Sequence, residues 1–188
     1  MDANLLQRAC AATEPIVERV TPADYAKPTP CTEWDVHDLV NHLLGTLELG
    51  RALFSDTAPE TDAGPGEVPS ADLAGDDPAK AYRVGMESLL AAATGDAVAR
   101  AHPTPFGDMP GGVLAGFTAL DVFVHGWDLA RATGQSPDFD EALAAEILAF
   151  GHQTISDETR APRIGPEVPA PDGASTLHRL VAYVGRTP

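Results

Sequence analysis

Prolines, glycines and acidic residues arrive in clusters along this 188-residue chain, and between the clusters Ala-rich and Leu-rich stretches repeat at the 3.6-residue period of a helix. That punctuation constrains the fold most. Alternating Val, Ile and Thr runs of the kind a half-buried strand needs are lacking, so the chain reads as all-α. The first helix is expected from about Asn4 to Val20, with Asp2 or Ala3 at its start, and Pro28 and Pro30 cannot continue it. The second opens at TEWD, where Thr32 and Asp35 suit a capping box with Asp in place of Glu, and runs to about Phe54. Residues 55–77 are rich in acid, Gly and Pro and predict a long solvated crossover. A third helix spans Pro78 to Ala93, with Asp77 as cap and Pro78 at the first helical position. The segment RAHPTPFGDMPGG then leads into a fourth helix from about Gly112 to Thr133, stopped by Gly134 and Pro137. Asp138 or Asp140 opens a fifth helix to about Asp157. A Pro-rich segment over 162–172 follows, and ASTLHRLVAYVG makes a short last helix.

Long and short connections in alternation suit a four-helix bundle with a C-terminal helical extension. The domain reading is a bundle over residues 1–135 and an extension over 136–188 packed on it. Twelve Lys and Arg against 28 Asp and Glu leave a formal charge of −16, which repels phosphate backbones and anionic membranes, and no basic cluster offsets it. Nucleic acid and membrane are therefore not expected partners. The N-terminal stretch lacks a charged start followed by a sustained apolar run, and 18 uninterrupted apolar residues occur nowhere, so a cytoplasmic location is expected. Cys10 and Cys31, without CxxC spacing, predict neither a disulfide framework nor a thiolate metal site. Both read most simply as buried, reduced thiols, although Cys31 also precedes a helix start, where a thiolate is stabilised.

The fourth helix carries the chemistry. On a helical wheel Leu114, Phe117, Thr118, Asp121, His125, Asp128 and Ala132 share one face. A carboxylate facing a bundle core costs several kcal/mol unless it is compensated, and among its helical neighbours Asp121 has only His125 for that purpose. The second helix offers His42, beside the apolar stripe of Leu39, Val40, Leu43 and Leu47, whereas His37 is about 140° away on the wheel and does not join it. Asp-x-x-x-His places two ligands one turn apart, and His42 from a facing helix completes two histidines and one aspartate. Three protein ligands with open positions are the pattern of a catalytic or exchangeable metal site. Asp128 is placed to accept the second N–H of His125. The plain alternative is a hydrogen-bonded core His–Asp pair. His37, His102, His152 and His178 read as solvated or capping residues. Trp34 and Trp127 read as packing or pocket lining, and Arg131 as an anion-binding residue or a partner of Asp128.

PTPCTEWDVHDLVNHLLG, followed much later by ALDVFVHGWDLARATGQ, resembles the actinobacterial branch of the DinB-like superfamily of metalloenzymes. That branch includes the N-terminal domain of mycothiol-dependent maleylpyruvate isomerase. The likeness spans roughly residues 5 to 135, and the chain's ending is similar to that of short members of the branch. It implies a four-helix bundle holding a metal, zinc or alternatively nickel, on the positions that here are His42, Asp121 and His125. It also implies a low-molecular-weight thiol cofactor, mycothiol, and Trp127 and Arg131, read above as pocket-lining and anion-binding residues, are the candidates for holding it. The isomerase proper commonly carries Glu where this chain has the shorter Asp121, and has a larger C-terminal domain. Both departures point away from maleylpyruvate itself. The expected function is a metal-dependent transferase or isomerase acting on a small-molecule thiol and an electrophile. Its alternatives are a non-catalytic metal-binding or ligand-sensing bundle and, last, a mononuclear iron oxygenase. Pairing into a homodimer is left open.

Overall fold

The computed structural model describes residues 3–136, 138–156, 160 and 164–188. Asp2 as a helix start, Pro137 as a stop and Asp157 as a helix end lie outside the described residues, as does the beginning of the Pro-rich segment. The chain divides into two compact units, Met1–Pro137 and Asp138–Pro188. In the first, helices α1 (Ala3–Val17), α2 (Val36–Ser55), α3 (Pro78–Ala92), α4 (Gly95–Ala99) and α5 (Gly111–Thr133) are joined by a short hairpin of β1 (Ala101–Thr104) and β2 (Gly107–Pro110). The second unit contains α6 (Glu141–Thr154) and α7 (Thr176–Tyr183).

Four long helices close a ring in which α1 packs on α5, α5 on α2, α2 on α3 and α3 on α1. The apolar stripes expected from the periodicity meet at its centre: Leu5, Leu6, Ile16, Leu39, Leu43, Leu47, Leu89, Phe123 and Leu129 are all 2% exposed or less. Helix α5 is long and apolar enough to cross a membrane, yet 83% of that stretch is buried inside the fold, as befits a core helix of a bundle. After Val17 the backbone tightens into i→i+3 bonds, Arg19 N to Ile16 O and Val20 N to Val17 O, so α1 stops short of the expected Val20.

The start of α2 differs from the expected Thr32/Asp35 box. Asp35 is the cap: its side chain accepts from Asp38 N at 3.0 Å, and Asp38 accepts from Asp35 N at 3.3 Å. Residues 28–35 form a loop closed by a Pro28–Asp35 bridge, with the Thr29 hydroxyl donating to both Cys31 O and Trp34 O. Thr32 is exposed within that loop, so the helix begins one turn later. Asp77 caps α3 by accepting from Lys80 N, as expected.

The hairpin is a second difference. Its strands, AHPT and GDMP, each contain a proline and neither alternates, so the sequence gives no strand signal. The left-handed Gly107, at φ 97°, and pairing of Ala101 with Pro110 through Thr104 with Gly107 form it all the same. His102, expected to be solvated or capping, is fully buried there and bonds a carbonyl of α4, so the capping alternative holds and the solvated one does not. Its Nδ1 lies 3.0 Å from Asp56 Oδ1 and its Nε2 donates to Ala97 O at 2.8 Å.

In the second unit α6 packs on α7. Asp140 caps α6, and the Tyr183 hydroxyl donates toward Gly151 O and Ile155 O at 3.2 and 3.3 Å. Glu141 accepts from Thr176 N at 2.7 Å, placing a carboxylate at the N-terminus of α7, where the helix dipole favours it.

Helices α1 and α5 approach closely at Gly126, where a Cβ would meet the fully buried Thr13 Oγ1 at 2.5 Å and Cγ2 at 3.1 Å. Thr13 is held in place by donating to Val122 O at 3.0 Å, so it cannot swing clear. Gly126→Ala is expected to destabilise the protein by about 2 kcal/mol through overpacking. The check is a lowered denaturant midpoint at unchanged slope, and an unchanged midpoint would show that the helices part freely here.

Candidate metal centre

Helical phase brings three donors together. The Asp35 cap sets the rotation of α2, so that His42 points inward with 1% exposure. On α5, Asp121 and His125 lie one turn apart and face it. His42 Nε2 is 3.1 Å from Asp121 Oδ2, and His125 Nε2 is 3.5 Å from Asp121 Oδ1. The three ligand atoms lie within 4.8 Å of one another. The positions chosen from the wheel are therefore brought together.

The hydrogen bonds on the far edges of the rings decide what this cluster can hold. His42 Nδ1 is 2.7 Å from Glu67 O; a carbonyl only accepts, so Nδ1 carries the hydrogen and the lone pair of the neutral ring is on Nε2. His125 Nδ1 lies 2.9 Å from Asp128 Oδ2, the partner expected for it, and that ring too turns its Nε2 inward. Two lone pairs thus converge on one carboxylate, an arrangement that repels unless positive charge lies among them. A divalent cation fits this requirement, and the Asp121 side chain, 30% exposed, leaves the site open on one side.

In the absence of an ion a proton meets the same need. Burial pulls His125 toward neutrality, but the Asp121 charge and the hydrogen bonds to Asp121, Asp128 and Cys31 outweigh it and hold the ring well above its ordinary 6.5. Burial likewise pushes the Asp121 carboxyl up, and the charges and hydrogen bonds of His42 and His125 outweigh it, leaving the group well below its ordinary 3.8.

Loops supply what the helical wheel did not show. The crossover is solvated but pinned: Asn41 Oδ1 accepts from Leu73 N and Ala74 N at 2.6 and 3.0 Å, and His37 Nε2 is 3.1 Å from Asp72. Gly45 admits it, because a Cβ there would meet Pro69 Cγ at 2.8 Å. The crossover thereby brings Glu67 O to His42. The 28–35 loop contributes Trp34, whose ring packs 4.6 Å from that of His42 and 5.7 Å from that of His125. Trp34 thus lines the site. The same loop places the Cys31 sulfur 3.8 Å from His125 Nδ1 and 3.4 Å from Asp128 Oδ2. Cys31 is half-buried, not the simple buried thiol expected. Only Cys10 is fully buried. Thr46, one turn beyond His42, donates to Asp121 Oδ2 at 2.9 Å. Its i+4 spacing was the one available signal for it. Trp127 is buried, with the exposed Arg131 guanidinium 5.6 Å over its ring, a cation–π pair.

An open two-histidine, one-carboxylate group inside a helical bundle defines a candidate metalloprotein of the DinB-like kind. The chain matches the family model of the mycothiol maleylpyruvate isomerase N-terminal domain over residues 6–130, and it belongs to that family. It is also 35% identical over 184 residues to two proteins of Mycobacterium tuberculosis. They are the uncharacterized protein MT0763 of strain CDC 1551 / Oshkosh and the uncharacterized protein Rv0738 of strain ATCC 25618 / H37Rv. Each match covers 96% of this chain and 95% of the relative. No solved structure matches the chain.

The shifted pair sets a pH signature for the metal-free protein. A raised histidine contributes stability that is fully present below 6.5 and fades as pH rises through the folded value. A depressed carboxylate contributes stability that is present above 3.8 and is lost as pH falls through its folded value. Maximal stability from the pair is therefore expected between those two pH values. Asp121→Asn should flatten the profile and bring the His125 titration, followed by NMR of labelled imidazole, down toward the ordinary value. A His125 that titrates alike in both proteins would overturn this electrostatic account.

Proposed function

We propose that this chain binds a divalent metal ion, zinc or nickel, through His42, Asp121 and His125, and uses it with a low-molecular-weight thiol of the mycothiol kind in a transferase or isomerase reaction. The observation that carries the reading is the inward turn of both Nε2 atoms onto one carboxylate, each ring held from behind by Glu67 O or Asp128. When bound, such an ion acts as a Lewis acid, stabilising a thiolate or polarising an oxygen at neutral pH.

The chain's own residues prepare that chemistry. Asp128 and the Glu67 carbonyl hold the ring hydrogens away from the cavity, so both ligand atoms are presented without prior rearrangement. Thr46 takes one lone pair of Asp121 and fixes the carboxylate plane. Trp34 covers the two imidazoles and limits water on that side. Trp127 and Arg131 are assigned to holding the thiol cofactor. The substrate is an electrophile other than maleylpyruvate, on the strength of the shorter acid at position 121, and the protein acts in the cytoplasm.

The test begins with metal uptake. Chain purified without chelator is expected to retain a divalent ion by elemental analysis, and His42→Ala or His125→Ala to lose it. Asp128→Asn should weaken binding by about 10–100-fold with the three ligands intact. Equal metal content in the parent and His125→Ala would defeat the assignment. Mycothiol should then raise the melting temperature of the loaded protein and support turnover of electrophiles. Stabilisation without turnover would leave the ligand-sensing bundle in place of the enzyme.

A further inference from the structure

We propose that Cys31, the Nδ1 atom of His125 and Asp128 form a second cation site, for a thiophilic divalent ion such as zinc or cadmium, on the opposite edge of the His125 ring from the first.

The donor atoms lie near the spacing it needs, with the hydrogen-bonded Nδ1–Oδ2 pair opening by about 0.4 Å to admit the ion. Cys31 Sγ is 3.4 Å from Asp128 Oδ2 and 3.8 Å from His125 Nδ1, and the last two are 2.9 Å apart. A tetrahedral zinc with bonds of about 2.3 Å to sulfur and 2.0–2.1 Å to nitrogen and oxygen separates its donors by roughly 3.3–3.6 Å. The set of thiolate, imidazole and carboxylate is one that soft or borderline ions select over calcium and magnesium. Asp128 is fully buried, so its oxygens are fixed. Cys31 is placed by main-chain and side-chain bonds: its N–H donates to Thr29 Oγ1 at 3.1 Å, and its carbonyl accepts from Trp34 N at 2.8 Å. Because Cys31 is only half-buried, an ion has access, and water can supply a fourth ligand.

The proton balance makes the two sites rivals. Binding at the second site releases the Cys31 S–H proton to solvent and takes the lone pair of Nδ1. The neutral ring then carries its hydrogen on Nε2, where Asp121 Oδ1, 3.5 Å away, accepts it. A neutral imidazole therefore serves one ion at a time, and a thiophilic ion at Cys31 withdraws His125 from the first set. The site shares His125 with the reading above but stands or falls separately from it.

The experiment titrates the chelator-treated full chain with cadmium alone and follows the ultraviolet thiolate-to-cadmium charge-transfer band. The band is expected in the parent and in Asp121→Asn, which dismantles the first set, and is expected to vanish in Cys31→Ser. Asp128→Asn, nearly isosteric, should weaken the cadmium response, because it replaces an anionic oxygen ligand with a neutral amide. Cys10 is not a competing source, since burial pushes its thiol up to about 12. No band in the parent, a band that survives Cys31→Ser, or indifference to Asp128→Asn would each overturn the second site. Loss of zinc from His42→Ala would still uphold the first.

Discussion

A carboxylate held between two imidazoles in the middle of a helical bundle is the constraint around which the first unit is organised. Asp121 lies among apolar residues of α5, where an uncompensated charge costs several kcal/mol. Its oxygens are met by His42, His125 and Thr46. Each of these in turn depends on a neighbour: the Asp35–Asp38 cap sets the phase of α2, Glu67 O fixes one ring and Asp128 the other. A cluster satisfied this completely is worth more than its separate pairs, because loss of any member leaves a charge or a lone pair facing another without water to screen it.

The same requirement gives the loops their work. An acidic, Gly- and Pro-rich crossover buries little apolar surface itself, yet Asn41 and His42 of α2 bond its backbone and His37 meets its Asp72 side chain, drawing it onto the helix. The 28–35 loop ends α1's connection and closes on itself, and in closing it sets Trp34 and Cys31 beside the histidines. Neither segment has the periodicity of a core element, and both complete the site.

What could be read from the sequence follows from what a helix transmits. Asp121, His125 and Asp128 were legible because spacings of four and three residues fix a shared face whatever the surroundings, and His42 because the apolar stripe beside it gave the orientation of α2. The capping register was ambiguous, since Thr32 with Asp35 and Asp35 with Asp38 both fit the same four-residue pattern; closure of the preceding loop chose between them. Trp34, Cys31 and the Glu67 carbonyl reach the site through turn geometry, which no repeat encodes. The hairpin and His102 escaped for a related reason: two prolines hide the strands, and the partner of His102 is Asp56, the left-handed residue at the end of α2, distant in sequence.

The two histidines are held by different means, and the difference ranks their stability. His125 has a carboxylate on each ring nitrogen, four residues before it and three after, both on its own helix. Its orientation persists for as long as α5 does. His42 takes its orientation from a carbonyl 25 residues away, in a crossover with few buried apolar contacts. Segments of that kind open at lower free energy than the helices they cover. When the crossover lifts, the Nδ1–H of His42 loses its partner and the ring is free to turn, while Asp121 and His125 remain paired. The geometry of the cluster thus has two origins, a pair written into α5 and a third side chain whose orientation depends on the order of a loop.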